Sequence, residues 1–102
     1  MIKLELFDPK TKKKNTYTQT YVSARHVRNG LELQAEMTKE NSSDLESLDQ
    51  ALAFIVALFD DKKVTADRIL DGLAYDELWE TIGNILRAVI RGESADGDTS
   101  GK

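Results

Sequence analysis

The chain has no cysteine, one proline, one histidine and one tryptophan among its 102 residues. Without cysteine there are no disulfides, no thiol nucleophile and no cysteine–zinc site. The single His26 cannot supply a histidine cluster for a metal. The longest apolar run, Ala51 to Phe59, falls far short of the roughly 20 residues a membrane-spanning helix needs. There is no surplus of positive charge either: the formal net charge is −4 and the pI about 4.9. That balance argues against nucleic acid as the main partner, because phosphate binding needs a concentrated basic face. Met1-Ile2-Lys3-Leu4 has no apolar signal core and no small-residue cleavage site, so the expected location is the cytoplasm.

Chemistry is equally sparse. An enzyme must bring together a nucleophile, a base and a pocket, and no Gly-rich phosphate loop occurs. His26 lies between Arg25 and Val27 with no carboxylate nearby in sequence to orient it. It reads as a surface or interface residue. Asp60-Asp61 lacks calcium-loop spacing, and Asp96-Gly97-Asp98 lacks the terminal glutamate and flanking helices of such a loop. No catalytic residue, cofactor or metal is expected.

What the chain does have is the run Ala51-Leu52-Ala53-Phe54-Ile55-Val56-Ala57-Leu58-Phe59. A capping-box pattern precedes it: Ser43 can accept from the amide three residues on, where Glu46 can reach back. Leu45 and Leu48 extend the apolar face backwards by whole turns, which favours helix. The large side chains from Leu45 to Phe59 then cover roughly 200° of the helix, against about 100° for an ordinary surface helix. Ala53 and Ala57 fall outside that arc, beside Glu46 and Gln50, and leave room for a close neighbour. This is a central core helix with surface to spare.

The remaining elements arrange themselves around it. Ile2, Leu4 and Leu6 alternate with Lys3, Glu5 and Phe7, as in a strand with one buried face. Asp8-Pro9 opens a loop running through Lys10, Lys12, Lys13, Lys14 and Asn15. Thr16 to Val22 alternates and returns antiparallel; a lone hairpin is marginal and must dock on helices. The lysines read as a solvated tip that also guards an open sheet edge. Ser23 caps a helix to about Lys39, with Ala24, Val27, Leu31 and Ala35 on one face and Leu33 and Met37 off it. Asn29-Gly30 is a point where that helix can kink. Thr65 caps a short helix, Ala66 to Asp71, with Gly72 at its C′ position and Ile69, Leu70 and Leu73 holding it to the core. The last helix spans about Tyr75 to Arg91, with Tyr75, Leu78, Trp79, Ile82, Ile85, Leu86, Val89 and Ile90 inward. Trp79 admits two readings: a core anchor, or a half-exposed anchor for an interface.

The fold class is therefore α+β, mainly α: an N-terminal β-hairpin packed on about four helices, one of them short. Residues 1–92 form one domain. Residues 93–102 form a polar tail with nothing to bury, expected to be disordered.

The order of parts resembles a known family. An Ile-Lys-Leu-Glu-Leu strand opens the chain, and Tyr21 to Arg25 (Tyr-Val-Ser-Ala-Arg) enters a helix. The apolar helix ends in Phe54 to Phe59, and Val64 to Leu73 precedes a final amphipathic helix with a polar tail. This pattern is similar to the tail assembly chaperones of long-tailed bacteriophages and prophages, over nearly the whole chain up to about Gly92. The resemblance implies a non-enzymatic protein that self-associates and binds the tape measure protein, with the major tail tube protein as a further partner. It implies action in the host cytoplasm and absence from the finished virion. The family is often also made in a longer form by a −1 ribosomal frameshift, and Ser100-Gly101-Lys102 can be encoded as UCG-GGA-AAG, which contains a slippery heptamer.

Under this reading the candidate partner and oligomer surface comprises Ala53, Phe54, Ala57, Phe59, Trp79, Arg25 and Arg28. The alternative function is a small cytosolic regulator or adaptor, binding nucleic acid or protein through the lysine loop and Arg25, His26 and Arg28.

Overall fold

The computed structural model describes residues 1–41 and 43–93. The expected polar tail and the proposed slippery codons at 100–102 lie outside the described residues, apart from Glu93. Among the described residues a two-stranded antiparallel hairpin precedes four helices. Strand β1 is Ile2–Asp8 and strand β2 is Lys13–Gln19. The helices are α1 (Ala24–Met37), α2 (Asp44–Leu58), α3 (Ala66–Gly72) and α4 (Leu78–Arg91).

The hairpin pairs Ile2 with Gln19 and Asp8 with Lys13. Its turn is shorter than the sequence implied. Lys10 N–H donates to Asp8 Oδ1 at 2.9 Å, and Lys12 N–H donates to the Asp8 carbonyl at 2.7 Å. Lys12 takes the left-handed conformation, φ 60°, that closes the turn. Lys13 and Lys14 therefore belong to β2, and that strand stops at Gln19, opposite Ile2. Ile2, Leu4 and Leu6 are all buried, as their alternation required.

Helix α2 forms the spine. Its cap is the expected one: Glu46 N–H donates to Ser43 Oγ at 3.0 Å. Ala51, Leu52, Phe54, Ile55 and Leu58 are buried along it, with Phe59 just beyond its end. Leu45 departs from expectation and is 68% exposed. On α2 it lies at the edge of the apolar arc, in line with Asp49, Leu52 and Val56, and in the first turn.

Helix α1 turns a different face inward from the one its sequence advertised. Leu31 is 49% exposed and Ala24 and Ala35 are exposed, whereas Gly30 and Leu33 are buried and Val27 and Met37 half-buried. The inward stripe is thus Val27, Gly30, Leu33 and Met37, at helical spacing. Nor does α1 break at Asn29-Gly30; it runs continuously from Ala24 to Met37. Gly30 marks the closest approach instead. A methyl group there would lie 3.2 Å from Leu86 Cδ1, 3.3 Å from Ile90 Cγ1 and 3.5 Å from Phe54 Cζ. Three helices meet at this glycine.

Helix α3 is capped as expected, Arg68 N–H donating to Thr65 Oγ1 at 3.1 Å. Gly72, however, is the helix's last residue and does not have the positive φ of a C′ glycine. Its smallness serves packing: α3 lies on β1, and an added Cβ would sit 2.8 Å from Leu6 Cβ and 3.1 Å from the Phe7 carbonyl. Ile69 is fully buried, but Leu70 is 45% exposed and does not hold α3 to the core.

Helix α4 starts later than its periodicity suggested. Tyr75, 93% exposed, belongs to a turn closed by Glu77 N–H to the Ala74 carbonyl at 2.9 Å. At the other end Gly92 takes φ 71°; its N–H donates to Val89 O and that of Glu93 to Ala88 O, the paired bonds of a Schellman stop. Gly83 contrasts with Gly72, because a methyl there meets only Arg87 Nη2, at 3.9 Å. Gly83→Ala is expected to stabilise the fold by about 0.5–1 kcal/mol through helix preference. A raised urea midpoint checks this, and an unchanged or lowered one would contradict the open space assigned to that face.

Candidate protein-binding surface

His26 is half-buried, and its Nδ1 is inaccessible with no hydrogen-bond partner among the described residues. Among the described residues no group of three or more His, Asp or Glu can hold a metal. Asp61 is occupied locally, its Oδ1 accepting from Lys63 N–H at 2.9 Å and its carbonyl from Val64 N–H at 3.0 Å. Among the described residues no helix is long and apolar enough to cross a membrane.

The basic cluster of α1 also dissolves on inspection. Arg25 and Arg28 are exposed, while His26 turns toward α2, where it lines the groove between the two helices. Arg28 faces Glu32 of its own helix at 3.6 Å, a pair worth little energy but enough to dilute a cationic patch.

Apolar surface is more informative. Tyr21, Leu31, Leu45, Leu70, Tyr75 and Trp79 are large hydrophobic side chains left exposed. Trp79 is 46% exposed, which settles it as a half-exposed side chain rather than a core anchor. By helical spacing it shares the stripe of α4 that carries Gly83, Leu86 and Ile90, toward the α1 side. Phe54 and Phe59 go the other way. Both are buried, at 8% and 4%, so Phe59 offers nothing to a partner and Phe54 offers only the part that lines the α1–α2 groove. The reason is geometric: Phe54 lies on the inward side of α2, close to Gly30 of α1, and Phe59, just past the end of α2, belongs to the same buried core cluster.

Ala53 and Ala57 are exposed, on the side of α2 away from the core. They form a low ridge between two open grooves. On one side, Leu33, Phe54, Gln50 and His26 line a groove of ≈ 550 Å³ against α1, with Glu32 and Glu36 at its rim. On the other, Leu52, Val56 and Ala66 line one of ≈ 530 Å³ against α3, with Asp49 and Thr65 at its ends. A helix laid on this face meets methyl groups and can approach closely.

The sequence thus placed Ala53 and Ala57 on the surface side of α2, left Trp79 open between core and surface, and offered Phe59 as surface where the structure buries it. It did not pick out Leu31, Leu45, Leu70 or Tyr75 as exposed. Only Leu45 carried a usable signal, since it stands at the margin of the arc and in the first turn of its helix.

A family model described as phage tail chaperone protein matches residues 1–102. No curated protein and no solved structure matches.

Proposed function

Because the chain belongs to the phage tail chaperone protein family, we propose that it binds the tape measure protein and keeps it soluble while tail tube subunits polymerise around it. The observation that carries this reading is the exposed apolar surface on a small acidic chain, with Trp79, Tyr75, Leu31 and Leu45 all in solvent. A tape measure is a very long helical chain whose apolar stripes aggregate when bare. Many weakly bound copies coat such a chain by multivalency and are still displaced one at a time. The net charge of −4 keeps the coated complex in solution. The role is binding without chemistry, carried out in the host cytoplasm, and the chaperone leaves before the virion is complete. Self-association through the same apolar surface lets neighbouring copies reinforce one another along the tape measure.

Co-expression with the tape measure protein tests the proposal. The tape measure is expected in the soluble fraction, retained on a tagged copy of this chain, only when the chain is present. A tape measure equally insoluble with and without the chain would sink the reading.

A further inference from the structure

The geometry points to the outer face of α2, from Leu45 to Ala57, as the docking groove for an amphipathic helix whose apolar stripe is flanked by lysine or arginine. This rests on the proposal above and deepens it by assigning the site and the chemistry of its partner.

Three observations converge on that face. First, Leu45, Leu52 and Val56 lie along one edge of α2 at helical spacing, with Asp49 in the same line; Leu52 and Val56 line the groove against α3, and Leu45, 68% exposed, extends the apolar edge toward the start of α2. From Leu45 to Val56 the edge spans about 16 Å, or three turns of helix. Second, the ridge beside it is made of Ala53 and Ala57, which let a second backbone come close; bulkier residues would hold it off. Third, the charges are of one sign. α2 carries Asp44, Glu46 and Asp49, all exposed, and no lysine or arginine. Glu32 and Glu36 stand on the opposite wall. Arg28 and Lys39 contact those two glutamates at 3.6 and 2.9 Å, but both pairs are solvent-exposed and yield readily to a competing cation.

An apolar edge three turns long, bordering a groove with small residues on its ridge and carboxylates at its rim, matches helix-in-groove recognition. The acidic first turns of α2 favour a partner whose basic end lies over Glu46 and Asp49, and disfavour an acidic helix in the same place. The charge complementarity sets orientation and selectivity; the apolar stripe supplies most of the affinity. A site this short binds weakly, as a coat displaced stepwise requires.

Two probes test this on the full chain. One is the co-expressed tape measure protein. The other is a labelled amphipathic peptide of about five turns, made with either lysines or glutamates beside a Leu/Ala stripe. The wild-type chain is expected to bind the lysine peptide at least about tenfold more tightly than the glutamate peptide, with affinity falling as salt rises. Leu45→Glu and Ala57→Glu alter exposed positions and are expected to weaken both the peptide and tape measure retention about tenfold or more, with an unchanged melting curve. Should either fail to fold, Asp49→Lys, also at an exposed position, keeps the test open: it should weaken the lysine peptide and flatten the salt dependence. Equal binding of the two peptides, or variants as effective as wild type while wild type retains the tape measure, would overturn the groove assignment and leave the chaperone reading standing. A wild-type chain that fails to retain the tape measure overturns that reading itself. Variants that lose self-association but not tape measure retention would assign the groove to a second copy, and so overturn the proposal.

Discussion

Replacing Ile55 by alanine is expected to lower the unfolding free energy by about 2–5 kcal/mol. Ile55 is 1% exposed, on the inward side of α2 among the buried side chains of the single core cluster. Truncation removes its transfer free energy and leaves a void that close-packed neighbours cannot fill. The total stability of a chain this size is about 5–15 kcal/mol, so this one change consumes a large share of it. The melting temperature should fall by on the order of 10 °C or more. Leu45→Ala is the matched control. It removes a similar side chain from the same helix, but from a site 68% exposed, and should change stability by less than about 0.5 kcal/mol. Equal losses at the two positions would mean that Leu45 is covered in solution.

Gly72→Ala is the second large effect, and here two terms oppose each other. In the last turn of α3, without a positive φ, alanine would ordinarily gain up to about 1 kcal/mol over glycine. The new methyl, however, would lie 2.8 Å from Leu6 Cβ and 3.1–3.2 Å from the backbone of Phe7. Those are not the free ends of flexible side chains, so α3 and β1 must move apart. Overpacking of this kind costs about 1–3 kcal/mol, and packing should win. The expected result is a lower urea midpoint for Gly72→Ala beside a higher one for Gly83→Ala. Two identical substitutions would then shift stability in opposite directions, and a stabilised Gly72→Ala would refute the close approach of α3 to β1.

These predictions bear on function because α2 is both spine and surface. Ile55 and its buried neighbours hold the helix in place, and that placement leaves Ala53 and Ala57 facing outward between α1 and α3. The hairpin contributes at the far end, where Gln19 Oε1 accepts from Asp60 N–H at 2.9 Å and ties β2 to the residues just past α2. Loosening α3 through Gly72 would open one wall of the groove without touching its lining.

Much of the element plan was legible from local signals. The alternation of Ile2, Leu4 and Leu6, the Ser43 and Thr65 caps, and the long apolar run each act within a few residues, and local patterns report local physics. Their failures share a cause. The α1 stripe was misread because its centre is Gly30, a residue with no side chain to register in any hydrophobic pattern; its importance lies in what approaches it from α2 and α4. Gly72 was taken for a helix stop, when its role is set by a strand more than sixty residues earlier in the chain. Tyr75 and Leu70 fit apolar periodicity but are left exposed.

By itself the amino-acid order determined that this protein is a hairpin followed by helices built around Ala51–Phe59, acidic and without the residues for common thiol or histidine-cluster chemistry, because caps, turns and periodicity are properties of short stretches. Tertiary structure alone decided which apolar residues stay in water and which glycines are contact points. Burial depends on whether another element happens to lie over a given face, and that is a relation between segments distant in the chain.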